Sequence, residues 1–241
     1  MKSFSKSQLL ALPFILIGTL CLVYFSVLAP STITSVLTRP IIDNDFVDIK
    51  LKYQLVTLTI AIIILVITHL FAPNNAKIFY KVGNINALSE SIGWLGIKST
   101  DTWKTIGCNF SIIVSLATGI FVYFSVARGQ TLDGEHVRFL PFILIFAMMN
   151  AFTEEAITRL SLVTALKGMV PNSVIYVASA LLFGIPHYFG VPGGIFGAIM
   201  AAFLGWLLSK SIVETRGMFW AWFIHFLQDV IIFTALFLTA L

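Results

Sequence analysis

The chain has 241 residues, of which 58% are apolar and only 11% charged, with a formal net charge of +4. A soluble domain carries roughly 25% charged residues, so this composition excludes an ordinary soluble domain and points to an integral membrane protein. The positive balance calls for no nucleic-acid partner, because Lys and Arg facing an anionic leaflet account for it.

A membrane-spanning helix needs about 20 mostly apolar residues. On that rule seven segments are expected, at about 9–28, 54–72, 106–126, 139–165, 173–190, 194–211 and 218–240. The first follows Lys2 and Lys6, as a signal peptide would, but its apolar run exceeds the roughly 7–15 residues of a signal core. It reads as an uncleaved first helix. Residues 29–53 mix acids and bases and read as a solvated link. Residues 73–105 mix apolar and polar positions and carry Trp94 and Trp103. Either an interfacial helix with both tryptophans at headgroup level or an ordinary ordered loop fits there. Gly and Pro crowd "FGIPHYFGVPGGIFG" (183–197), where the fifth and sixth segments meet.

The expected fold is an all-α bundle of about seven transmembrane helices. Residues 1–105 form an N-terminal two-helix region, and 106–241 form the core that carries the chemistry. With the N-terminus inside, nine Lys and Arg fall on inner segments and five on outer ones, which favours a cytosolic N-terminus. A multi-pass protein of a prokaryotic plasma membrane is the expectation. Cys21 and Cys108 lie in apolar segments, form no CxxC pair and say little about redox compartment.

The stretch "NAFTEEAITRL" (150–160) sets Glu154, Glu155 and Arg159 inside an apolar helix. A charge at the bilayer centre costs about 2.5–3.5 kcal/mol on insertion scales, so three of them ask for an explanation. Glu155 and Arg159 are four residues apart, share a helical face and can pair. Glu154 is rotated about 100° from Glu155 and is left without a local partner. The bland reading of the pair is a neutralised structural ion pair, and it does not extend to Glu154. In "LLFGIPHYFG" (181–190), Pro186 removes a backbone N–H and Gly184 loosens the helix, so a break just before His187 is expected. Broken membrane helices are tolerated where they line a cavity. In "AWFIHFLQDVII" (221–232), His225 and Asp229 share a face, and an Asp accepting from a ring N–H would fix the imidazole. A static core histidine and a static polar pair are the alternatives. His69, near the end of the second segment, is expected at the interface.

These residues resemble the CPBP family of intramembrane proteases, the prenyl-protein (CAAX) endopeptidases and their bacterial bacteriocin-processing and immunity-associated relatives. The family pattern of Glu-Glu-x-x-x-Arg, Phe-x-x-x-His and His-x-x-x-Asn/Asp on successive helices is matched by "EEAITR" (154–159), "FGIPH" (183–187) and "HFLQD" (225–229). The resemblance spans about 139–232, and "GWLGIKSTDTW" (93–103) resembles the segment that often precedes this core. Two positions depart from the pattern. Thr158 and Leu160 flank Arg159 where many members have Phe and Gly, and Asp229 stands where the prenyl-protein enzymes usually carry Asn. An ionised Asp cannot donate a hydrogen bond, which puts a direct oxyanion-donor role for residue 229 in doubt.

The resemblance implies peptide-bond hydrolysis of a membrane-associated or lipidated peptide or protein. Glu154 and His187 would activate a water, and His225, oriented by Asp229, would donate to the oxyanion. Glu155, Arg159 and Phe183 would support them, in a polar cavity opening toward the cytosol. No cofactor is expected, although Glu154, His187, His225 and Asp229 also make a credible zinc set. No His-Glu-x-x-His and no Gly-x-Ser-x-Gly occurs. Straight helices would leave His187 roughly 12–15 Å along the membrane normal from Glu154 and His225; tilt would absorb some of this, and the fifth helix is expected to break or bend near Gly184–Pro186. Two other readings use the same residues. A proton-coupled transporter needs buried Glu, His and Asp, but no inverted repeat is visible. A non-catalytic immunity or scaffold protein would keep the motifs for stability.

Overall fold

The computed structural model describes residues 6–28, 30–131, 134–191 and 193–240. Among the described residues, six helices are long and apolar enough to cross a membrane: α1 (Lys6–Val27), α2 (Asp45–Phe71), α3 (Trp103–Ala127), α4 (Leu140–Leu166), α6 (Gly194–Thr215) and α7 (Phe219–Ala240). Between α4 and α6 lies α5 (Asn172–Gly184), followed by a 3-10 turn, Pro186–Phe189. The fold is all-helical and that of an integral membrane protein.

Two expectations need correction here. The fifth segment is not a full span: α5 has 13 residues, and at 1.5 Å per residue that is about 20 Å against a hydrocarbon core of about 30 Å. The second helix starts at Asp45, nine residues before the expected 54. Asn44 caps it by accepting from the Val47 backbone N–H at 3.0 Å. Its charged first turns are neutralised internally, with Lys52 Nζ 2.6 Å from Asp48 Oδ2 and both side chains buried. Hydropathy alone hides such a start, because it scores each charge without its partner.

Residues 73–105 hold a short helix, Pro73–Phe79, and a loop pinned by isolated bridges Leu88↔Thr102 and Ile92↔Ile97. Trp94 is exposed, whereas Trp103 is fully buried, contrary to a headgroup position for both. The Trp103 indole N–H donates to Glu214 Oε2 at 2.7 Å, which gives a buried indole the acceptor it needs. His69 is exposed at the end of α2.

α4 is the axis of the bundle. Ala156, Ile157 and Ala165 pack with Ala11 and Ile15 of α1 and Ala61 and Ile64 of α2. Leu160, Leu162 and Val163 pack with Ile175, Leu208, Ile212 and Ile224 of the last three helices. Ile143 and Phe146 pack with Val47 of α2 and Phe233 and Phe237 of α7. These clusters run across the sequence boundary at 105. α5 and α6 cross closely because glycines face them. A Cβ on Gly184 would sit 2.7 Å from Ala202 Cβ, and one on Gly205 would sit 2.8 Å from Ser179 O. In lipid, where apolar burial between helices gains little, such small-residue contacts hold helices together.

The two ends of the bundle differ. One gathers the start of α1, the 71–103 loop, the α4–α5 link and the α6–α7 turn, tied by Asn84 N–H to Thr215 O and Met218 N–H to Lys81 O. It carries Lys77, Lys81, Lys98, Lys104, Lys167, Lys210 and Arg216. The other gathers the end of α1, the start of α2 and the ends of α3 and α7, tied by ring contacts of Phe237 with Phe46 and Phe139.

Candidate active site

Near its middle α4 changes from α to π geometry over Ala156–Leu160 and then resumes. π turns are rare and occur often at functional sites. The Thr158 hydroxyl donates to the Glu154 carbonyl at 2.7 Å, satisfying an acceptor beside the disturbed ladder. Across this turn Glu155 and Arg159 form a buried ion pair. The Arg159 guanidinium carbon lies 3.7 Å from the centroid of the Phe183 ring on α5. A positive charge over a ring face is attracted by the ring quadrupole, so Phe183 shields the cation where no water reaches it.

Glu155 has a second partner, because its Oε1 accepts from His225 Nδ1 on α7 at 2.7 Å. His225 Nε2 lies 3.7 Å from Glu154 Oε2 and 3.6 Å from Asp229 Oδ2. The expectation that Asp229 accepts from and orients His225 is therefore corrected: Glu155 fills that role. Asp229 instead faces the nitrogen that points at Glu154.

Glu154 was expected to lack a local partner, and this too changes. Asn150, one turn earlier on α4, uses its Nδ2 to donate to Glu154 Oε1 at 3.0 Å and to Asp229 Oδ2 at 3.1 Å. Asn150 Oδ1 accepts from Gln54 Nε2 of α2 at 3.4 Å. Sequence reasoning missed both residues. The available signal was the four-residue step from Asn150 to Glu154, which places them on one face.

His187 is positioned by the end of α5. The helix stops because residue 186 is proline and has no N–H for the carbonyl of Leu182. The Phe183 carbonyl, which would otherwise accept from the His187 backbone, accepts from the His187 ring Nδ1 at 2.7 Å. The ring lies 4.2 Å from Phe183 between centroids. With Nδ1 as donor, Nε2 keeps its lone pair.

Glu154, His187, His225 and Asp229 line a single cavity of about 320 Å³ together with Asn150 and Phe183. The Glu154 side chain is 20% exposed, while Glu155 beside it is sealed at 0%. Apolar residues such as Val23, Phe25, Phe121, Phe196 and Ile232 form much of the remaining wall, with Lys50 among them. These lie toward the end of the bundle opposite the lysine-rich loops.

Among the described residues no group of three His, Cys, Asp or Glu side chains is placed to hold a metal ion. The Asn150 amide points N–H groups at Glu154 Oε1 and Asp229 Oδ2.

The family model described as "Rce1-like: Type II CAAX prenyl endopeptidase Rce1-like" matches residues 136–231. That span contains all three motifs. The chain carries an Rce1-like domain of the CAAX prenyl endopeptidase family. This is a family of proteases, so a peptide or protein is its class of substrate. No curated protein and no solved structure matches the chain. Gln54 and the α1 wall of the cavity lie outside the Rce1-like domain.

Proposed function

We propose that this Rce1-like protein is an intramembrane endopeptidase acting by glutamate- and histidine-activated water on a membrane-associated or lipidated peptide. The observation that carries the reading is that Glu154, His187, His225 and Asp229, from three separate stretches of chain, line one cavity with apolar walls.

Glu154, His187 and His225 take the chemical steps. Glu154 takes a proton from a water whose other hydrogen is directed at the His187 Nε2 lone pair. The oxygen attacks the scissile carbonyl carbon, and the C=O pair moves onto oxygen. His225, with a proton on each ring nitrogen, donates through Nε2–H to that oxyanion while Glu155 holds Nδ1. Collapse of the tetrahedral intermediate breaks the C–N bond, and Glu154 passes its proton to the leaving amine. Arg159 keeps Glu155 charged and in place. No metal enters these steps.

Sidedness follows from combining two observations. Lys and Arg favour a cytosolic face at the 71–103 end, and the cavity extends toward the other end. In this reading the mouth faces the outer leaflet, whereas the sequence alone suggested a cytosolic opening. A peptide anchored in that leaflet fits best, with its apolar part along the wall.

The purified protein, incubated with farnesylated and leader-type peptides with and without a chelator, tests the proposal by mass spectrometry of the products. Cleavage of at least one peptide, undiminished by the chelator, is expected. No cleavage of any peptide, or cleavage that disappears with the chelator and returns with zinc, contradicts it.

A further inference from the structure

We infer that Asn150 is a positioning residue for Glu154: its amide, oriented by the two carboxylates it faces, supplies the N–H donor that Asp229 cannot provide and lets them stand together beside His225. The inference rests on the reading of Glu154 as the base.

The geometry is reciprocal. One nitrogen, Asn150 Nδ2, reaches Glu154 Oε1 at 3.0 Å and Asp229 Oδ2 at 3.1 Å. A primary amide has two N–H bonds, so each carboxylate receives one. The opposite amide orientation would set a carbonyl oxygen against two carboxylate oxygens. The two carboxylates therefore set the Asn150 amide, and Gln54, fully buried on α2, meets its Oδ1 with Nε2 at 3.4 Å. Two carboxylates in a site this dry repel unless a donor stands between them. Asn150 is that donor on one side, and His225 Nε2, 3.7 and 3.6 Å from the same two groups, is the other.

For Glu154 the consequence is a division of labour between its oxygens. Oε1 is committed to Asn150, one turn away on the same helix, and this fixes the side chain. Oε2 is left facing His225 and the cavity, where a water would be deprotonated. Position 229 can carry a carboxylate because the amide it lacks comes from α4. The prediction is then one of exchange: an amide at 229 should compensate for a carboxylate at 150.

Two readouts on the full chain in detergent test this. The first, thermal unfolding, needs no substrate. Asn150→Ala should lower Tm by several degrees with Asp at 229, and by less than half as much in the Asp229→Asn background. The second is hydrolysis of a farnesylated, internally quenched peptide. Asn150→Asp should lower kcat at least a hundredfold with KM within threefold of the parent. Asn150→Asp combined with Asp229→Asn should recover at least tenfold of that loss. If Asn150→Asp alone does not fold, recovery of a folded protein by the second substitution supports the exchange in the same way. Equal Tm losses in both backgrounds, or a folded double variant no more active than the single one, overturn the inference. A parent protein that cleaves nothing removes the reading of Glu154 as base, while the Tm cycle still decides whether Asn150 separates the carboxylates.

Discussion

Glu155 Oε1 lies 2.7 Å from His225 Nδ1, and the same oxygen pairs with Arg159. The second glutamate of the motif thus links the only arginine of α4 outside solvent reach to the imidazole of another helix. Removing one partner of a buried pair leaves an uncompensated charge, at a cost of about 3–5 kcal/mol. Glu155→Ala should therefore lower the unfolding temperature sharply and abolish cleavage. Asp229→Asn should be milder, retaining turnover within roughly tenfold, because an amide oxygen still accepts from Asn150. Parallel thermal scans and initial rates check this, and a reversed order of severity would return the orienting role to Asp229.

Pro186 ends α5 and leaves the Phe183 carbonyl for the His187 ring. Pro186→Ala would let the helix run on, turning the ring away and giving its carbonyl partner back to the backbone. A misplacement of about 1 Å can cost a hundredfold in rate. We expect kcat to fall by that order while Tm holds or rises. An unchanged kcat would show that the break does not position His187.

The α5–α6 crossing depends on Gly205, where an added Cβ would meet Ser179 O at 2.8 Å and Ala180 Cα at 2.9 Å. Backbone atoms cannot swing aside as a side chain can. Gly205→Val should destabilise by about 1–3 kcal/mol, in the range of overpacked cores. Since His187 follows α5, turnover should fall too. Equilibrium unfolding in detergent measures the first effect, and a neutral result would mean the helices separate without cost.

Ser26 lines the cavity near the end of α1. With both native cysteines replaced, Ser26→Cys should react with a membrane-impermeant thiol reagent added to intact cells. Labelling only after the membrane is opened would place the mouth on the cytosolic side.

Several of these features can be read from residue spacing, and others cannot, for identifiable reasons. The Glu155–Arg159 contact and the end of α5 follow from local rules, a four-residue step and a proline without its N–H. Asn150 escaped attention because it carries no charge and stands beside two glutamates that do, although burying an unpaired amide is itself costly. Its importance depends on Asp229, 79 residues away. Gln54 adds a partner from outside the three motifs. The π turn at Ala156–Leu160 has no compositional signature, and it changes which face follows Glu155. The choice between Glu155 and Asp229 as partner of His225 needed the helix packing, since both are plausible from sequence.

The central claim is that Glu154 is the base, and Glu154→Gln tests it most directly. The substitution keeps the size of the side chain and an oxygen for Asn150 but removes the proton acceptor. Parent and variant, purified side by side and matched by thermal scan, should differ at least a thousandfold in kcat on a peptide the parent cleaves, near the upper range for a general base. Turnover within twofold of the parent would contradict the account.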